Sequence, residues 1–240
     1  MAASPQTASA HPKCVILQPS YIPWRGYFHQ IQKTDVFVFY DDVQYDDRGW
    51  RNRNRIKTPG GTQWLTISVL SAGNQVNKTP IKDVRICWDR PWARKHWAAI
   101  QGAYRKAPYF VRYAPLLESF YQRRDERLAD FTIDFTIALA AELGIRGTRF
   151  LRSSELRAEG TKSDRLLSLL AALGSRYYIS GPSARAYIDQ EKVGSAGVTV
   201  EYMVYEYPEY EQLHPPYDPQ VSILDLLLMK GPAAGRHIWG

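Results

Sequence analysis

The most unusual chemistry in this chain lies between Arg48 and Lys57, in the run RGWRNRNRIK. Read as an extended strand, it sets Arg51, Arg53, Arg55 and Lys57 on one face and Trp50, Asn52, Asn54 and Ile56 on the other. Four like charges on one face repel unless an anion lies against them. A guanidinium grips phosphate or carboxylate through a planar fork of N–H donors. Two readings stand: an anion-binding face, or a solvated strand edge whose charges resist aggregation. Asn52 and Asn54 add donors and acceptors on the opposite side.

Just upstream is DDVQYDD, residues 41–47. Asp41 and Asp42 end an apolar run, so Asp42 is a candidate for acid–base work or ligand binding. The alternative is ion pairing with the arginines that follow. Gln44 is a further polar candidate in the same loop. Gln18, Ser20 and Tyr21 follow the first apolar run, and a helix starting near Pro23 would aim its N-terminus at them, an arrangement suited to anions. Tyr21, Trp24 and Trp50 are candidates to stack on a sugar or base. Gly181 would let backbone amides approach a ligand closely, with Arg185 to neutralise it, although a structural turn reads equally well. Among five scattered histidines, His96 is the candidate for proton transfer, against a structural alternative. No pair of histidines has zinc-ligand spacing, so no metal site is expected. Neither G-x-G-x-x-G nor a Walker A loop occurs, and G-x-S-x-G is absent. GTKS at 160–163 reads as a helix start with Thr161 or Ser163 as N-cap, phosphate capture there being the alternative. The residues identify no cofactor.

These residues need elements to hold them. Cys14–Leu17, Val36–Tyr40 and Tyr177–Ser180 are short apolar runs typical of strands buried on both faces. Trp24, Tyr27, Phe28 and Ile31 have helical spacing. Strand, helix and strand within about 30 residues make a βαβ unit. Arg48–Lys57 and Gln63–Leu70 flank Pro59-Gly60-Gly61 as a hairpin. A short strand is expected over 81–86, helices over 92–105, 113–122, 128–143, 163–173 and 222–229, an edge strand beginning at 150, and a late strand over 198–205. The expected fold is mixed α/β: a mainly parallel, Rossmann-like sheet with a helical insertion. Residues 1–12 read as a disordered tail and 13–240 as a single domain.

Composition bounds the rest. Net charge is +7 and 45% of residues are hydrophobic, which excludes a disordered chain. Aromatic residues reach 13%, with 16 Tyr and 7 Trp. Two cysteines make no disulfide framework. No signal sequence or membrane span is visible, so a cytoplasmic protein without membrane insertion is expected.

The segments QPSYIPWRGYF (18–28), DVFVFYDDVQYDDRGWRNRNRIK (35–57), KHW…YRKAPYF (95–110), YYISGPSARAYID (177–189), YPEYEQ (207–212) and SILDLLLMKGP (222–232) together resemble the WbqC-like family. That resemblance implies a setting in O-antigen or other surface-polysaccharide biosynthesis. The first βαβ unit is also similar to nucleotidylyltransferase-like Rossmann domains. Those carry H-x-G-H where this chain has Trp24-Arg25-Gly26-Tyr27, so adenylyl transfer does not follow from the likeness.

The combined expectation is an enzyme acting on a small molecule, an acyl or aminoacyl transferase working on an amino sugar or other amine. Gln18, Tyr21, Trp24, Gln44, Asn52, Arg53, Asn54, Arg55, Gly181 and Arg185 would bind an anionic ligand such as a sugar nucleotide. Asp42 or His96 would manage the proton. The rivals are a non-catalytic binding or assembly protein of a glycan pathway, and a nucleic-acid binder. Asp41, Asp42, Asp46 and Asp47 offset the basic run and weigh against the last.

Overall fold

A computed structural model describes residues 11–70, 72–74 and 76–240. Its elements run β1 (Lys13–Leu17), α1 (Arg25–Gln32), β2 (Val36–Phe39), β3 (Arg53–Thr58), β4 (Gly61–Thr66), α2 (Trp92–Tyr104), α3 (Phe110–Gln122), α4 (Leu128–Glu142), β5 (Arg149–Arg152), α5 (Lys162–Ala172), β6 (Tyr177–Ser180), α6 (Gln190–Ser195), β7 (Thr199–Tyr202) and α7 (Ile223–Lys230). Residues 1–10 of the expected tail lie outside the described residues. The chain divides into two compact units.

The first unit comprises the described residues up to Leu17 with Gln30–Phe39 and Gly147–Val204. Among the described residues it holds a five-stranded sheet in the order β5-β2-β1-β6-β7, with every pairing parallel. Counting only this sheet's strands along the chain, the order is 3-2-1-4-5. That is the doubly wound pattern, with its switch point between β1 and β6. The sheet is parallel and Rossmann-like, as expected. β2, the apolar run VFVF, is buried at every position, which explains why its sequence does not alternate. Thr148 ties the approach to β5 onto this unit by donating its hydroxyl to Ile31 O at 2.7 Å.

The second unit comprises Gln18–His29, Tyr40–Arg146 and Tyr205–Gly240. The β3–β4 hairpin pairs Arg53 with Thr66, Arg55 with Trp64 and Thr58 with Gly61. The helices α2 and α7 both pack on β3, and α3 packs on α2 and α7. The expected helical insertion is therefore present as α2 to α4, built around aromatic rings. Phe120 and Phe135 stack at 4.2 Å between centroids, and Phe131 packs edge-on to both.

Three local expectations change, the first being that the strand expected over 48–57 begins only at Arg53, with Arg51 in a bend before it. The segment 81–86 is not a strand: Ile81–Asp83 is a 3-10 turn, and only Arg85 and Ile86 make isolated bridges, to Arg127 and Val69. The returning hairpin strand starts at the turn itself and ends at Thr66. The short helix α6, capped by the Asp189 side chain on Lys192 N, has too weak an apolar pattern to be seen in sequence.

Candidate site on an arginine and tryptophan hairpin

β3 alternates as its sequence predicts. Asn52, Asn54 and Ile56 are buried, while Arg53 and Arg55 are half-buried on the other face. Lys57 departs from the pattern and is buried, its backbone N–H donating to Tyr104 Oη at 2.8 Å.

Each guanidinium on this face is anchored by one N–H to a neutral oxygen. Arg51 Nη1 donates to Gln18 Oε1 at 2.8 Å and Arg55 Nη2 to Gln220 Oε1 at 2.8 Å. Arg53 Nη2 donates to the Arg48 carbonyl. None of the three forms an ion pair with a described residue. In all three the Nε–H is buried and has no acceptor. Buried donors are nearly always satisfied in folded proteins, so three orphans on one face are unusual. Burial pushes the Arg51 pKa down, and the nearby groups Tyr27, Asp46 and Tyr45 oppose that shift.

Two indoles lie among these cations. Trp50 and Trp64 stack at 5.4 Å and are 44% and 45% exposed. The Arg53 guanidinium lies 4.7 Å from the Trp64 ring centre, and that of Arg55 lies 5.3 Å from Trp64 and 5.7 Å from Trp50. Such cation–π contacts hold the guanidinium faces of Arg53 and Arg55.

The buried side of the hairpin supports this face. Asn54 Nδ2 donates to Tyr21 O at 3.1 Å and Ile22 O at 2.9 Å, and its Oδ1 accepts from Arg55 N at 2.8 Å. Ile22 has φ 36°, a costly conformation for a β-branched residue. Asn54 thus clamps a strained turn in the loop that carries Gln18, and Gln18 in turn holds Arg51. Asn52 Nδ2 donates to Ile67 O at 2.9 Å. Replacing Asn54 by Ala leaves two buried carbonyls and one N–H without this partner. We expect Asn54→Ala to cost about 1–3 kcal/mol of stability, read by urea unfolding. An unchanged midpoint would show that the clamp is energetically idle.

The profile of the WbqC-like protein family matches residues 18–237. This chain belongs to that family. The WbqC-like chain is 38% identical over 228 residues to "Uncharacterized protein Rv1507c" of Mycobacterium tuberculosis (strain ATCC 25618 / H37Rv), covering 94% of this chain and 97% of the relative. No solved structure matches it.

Within this WbqC-like chain the other expected site residues are distributed as follows. Tyr21 is wholly buried, so stacking on a ligand is closed to it. Its hydroxyl instead bonds His96 Nδ1 at 2.9 Å and Tyr121 Oη at 2.6 Å. His96 lies in the aromatic core with Trp92 and Tyr121 and is 5% exposed. Burial pushes its pKa down to about 4, with a hydrogen bond to the Thr66 backbone opposing, so the ring is neutral at pH 7.

Asp42 is half-buried and does not pair with Arg51, Arg53 or Arg55. Gln44 is exposed, and its backbone bridges to Pro80. Trp24 packs against Tyr205 at 5.0 Å and Tyr207 at 6.2 Å. It also explains Gly26, where a Cβ would meet the indole at 2.3 Å. Gly181 and Arg185 belong to the first unit, where Arg185 lies 4.4 Å from the Tyr202 ring centre.

Sequence reasoning missed three participants. Trp64 was recoverable, since a turn closing Thr58 on Gly61 puts residue 64 opposite Arg55. Gln220, 165 residues from Arg55, left no signal. Neither did Asp225, a buried carboxyl that accepts from Tyr104 Oη at 3.0 Å and Tyr210 Oη at 2.8 Å, and whose pKa burial pushes up. Among the described residues, no group of three or more His, Cys, Asp or Glu side chains is placed to share a metal ion. Nor is any helix among them long and apolar enough to cross a membrane.

Proposed function

We propose that this WbqC-like chain holds an anionic small molecule on the Arg51–Arg53–Arg55 face and acts as a transferase in surface-polysaccharide or related small-molecule biosynthesis. One observation carries the anion reading: three guanidiniums anchored only by neutral oxygens, each with a buried Nε–H lacking an acceptor. An oxyanion supplies the opposite charge that these neutral oxygens do not.

The reaction proposed is transfer of an acyl or aminoacyl group to an amine. The amine nitrogen bonds to the acyl carbon, the leaving group departs with its electron pair, and the amine's proton passes to a carboxylate. Asp42 is assigned that proton because it is partly exposed, whereas His96 is buried.

A thermal-shift screen with sugar nucleotides, ATP, coenzyme A thioesters and aminoacyl donors tests the binding, and amine panels with any binder test the transfer. A rise in Tm with one donor class, followed by turnover, is the expected result. A flat response throughout sinks the small-molecule reading. Binding without turnover across the amine panel leaves a non-catalytic ligand carrier.

A further inference from the structure

The arginine face does not stand alone. Beside it are two exposed indoles, Trp50 and Trp64, mutually inclined by 30°. Exposed indoles are costly in water, and a stacked pair ends in an outer ring face of the kind that a planar ring can cover. The two features share one patch, since Trp64 is the cross-strand partner of Arg55 and both Arg53 and Arg55 touch its ring.

Arg51 lies in the bend before β3, and Arg53 and Arg55 alternate along the strand, so the donors come from three separate backbone positions. Three guanidiniums beside two indoles offer more donors than a single phosphate uses, and a diphosphate joined to a flat ring matches both features. Its oxygens offer charged acceptors to guanidiniums whose described partners are neutral oxygens, and its charge opposes three cations that form no ion pair with a described residue.

We infer that the ligand of this face is a nucleoside diphosphate group, with the base on Trp64 and Trp50 and the diphosphate on Arg51, Arg53 and Arg55. This rests on the anion reading above and deepens it. A polynucleotide is disfavoured because the exposed acidic pair Asp46 and Asp47 precedes the basic run and would repel an extended polyanion.

Calorimetry on the full chain with UDP, ADP, inorganic pyrophosphate, glucose 1-phosphate and a single-stranded RNA dodecamer decides it. UDP or ADP should bind at least tenfold tighter than pyrophosphate or glucose 1-phosphate. Base–aromatic stacking makes Trp64→Leu weaken the nucleotide about tenfold to a hundredfold, and pyrophosphate, which meets only the guanidiniums that Trp64 supports, by a clearly smaller factor. Trp64 is exposed, so this variant keeps its core, and a matching Tm confirms it.

Pyrophosphate binding as tightly as UDP and ADP, or nucleotide binding indifferent to Trp64→Leu, overturns the base assignment and leaves the anion reading intact. No binding by any phosphate probe removes the anion reading itself. Tighter binding of the dodecamer than of either nucleotide, growing with oligonucleotide length, overturns the inference in favour of nucleic acid.

Discussion

Arg53→Ala combined with Arg55→Ala should lower affinity for the anionic ligand at least a hundredfold while leaving the fold intact. Hydrogen bonds to charged groups contribute about 1.5–3 kcal/mol each, and the double variant removes donors from two guanidiniums. Neither arginine forms an ion pair with a described residue, so no buried carboxylate is stranded by the change. Two opposing effects keep Tm nearly constant: stacking on the indoles is lost, and repulsion between neighbouring cations is relieved. Wild-type affinity should also fall as salt rises, since the face is partly exposed and its attraction is screened. The binding isotherm measured by calorimetry is the check. Equal affinity in the double variant and the wild type would remove these arginines from the site.

The second large effect concerns pH. His96 has a folded pKa near 4 against an ordinary value of 6.5, so the unfolded chain takes up the proton first as pH falls. Its contribution to stability is fully present above pH 6.5 and is lost as pH drops from there to about 4. The whole window amounts to about 3 kcal/mol. Asp225 works the other way: its raised pKa means that its contribution falls as pH rises from its unfolded value through its folded one. The two groups partly offset each other in wild type, so the informative quantity is the difference between wild type and His96→Gln. Urea unfolding at pH 7.5 and pH 4.0 should show a markedly smaller pH-dependent loss in the variant. Parallel pH profiles would mean that His96 is not the group that titrates.

How much of this was legible in the sequence depends on distance along the chain. The period-two alternation of Asn52, Arg53, Asn54 and Arg55 already assigns their faces, because strand geometry is local. The apolar runs at 14–17 and 36–39 likewise mark strands buried on both sides. Tyr21 and His96 show the opposite case. Both look like site residues, with polar handles beside motifs, yet each completes the other's hydrogen bonding inside an aromatic core. Nothing local distinguishes a tyrosine that stacks on a ligand from one that satisfies a buried imidazole 75 residues away.

The chain's own order of residues determined the family, the parallel α/β character, the hairpin and the basic stripe on one of its faces. These follow from short-range periodicity, turn chemistry and motif content. Only the tertiary structure decided which cations form no ion pair with a described residue. Asp41, Asp42, Asp46 and Asp47 sit beside the stripe in sequence, yet Gln18 and Gln220 come from far away to anchor Arg51 and Arg55 with neutral oxygens. Pairing of charges is settled by which side chains folding brings within hydrogen-bond reach, and that is a property of long-range packing that no local pattern encodes.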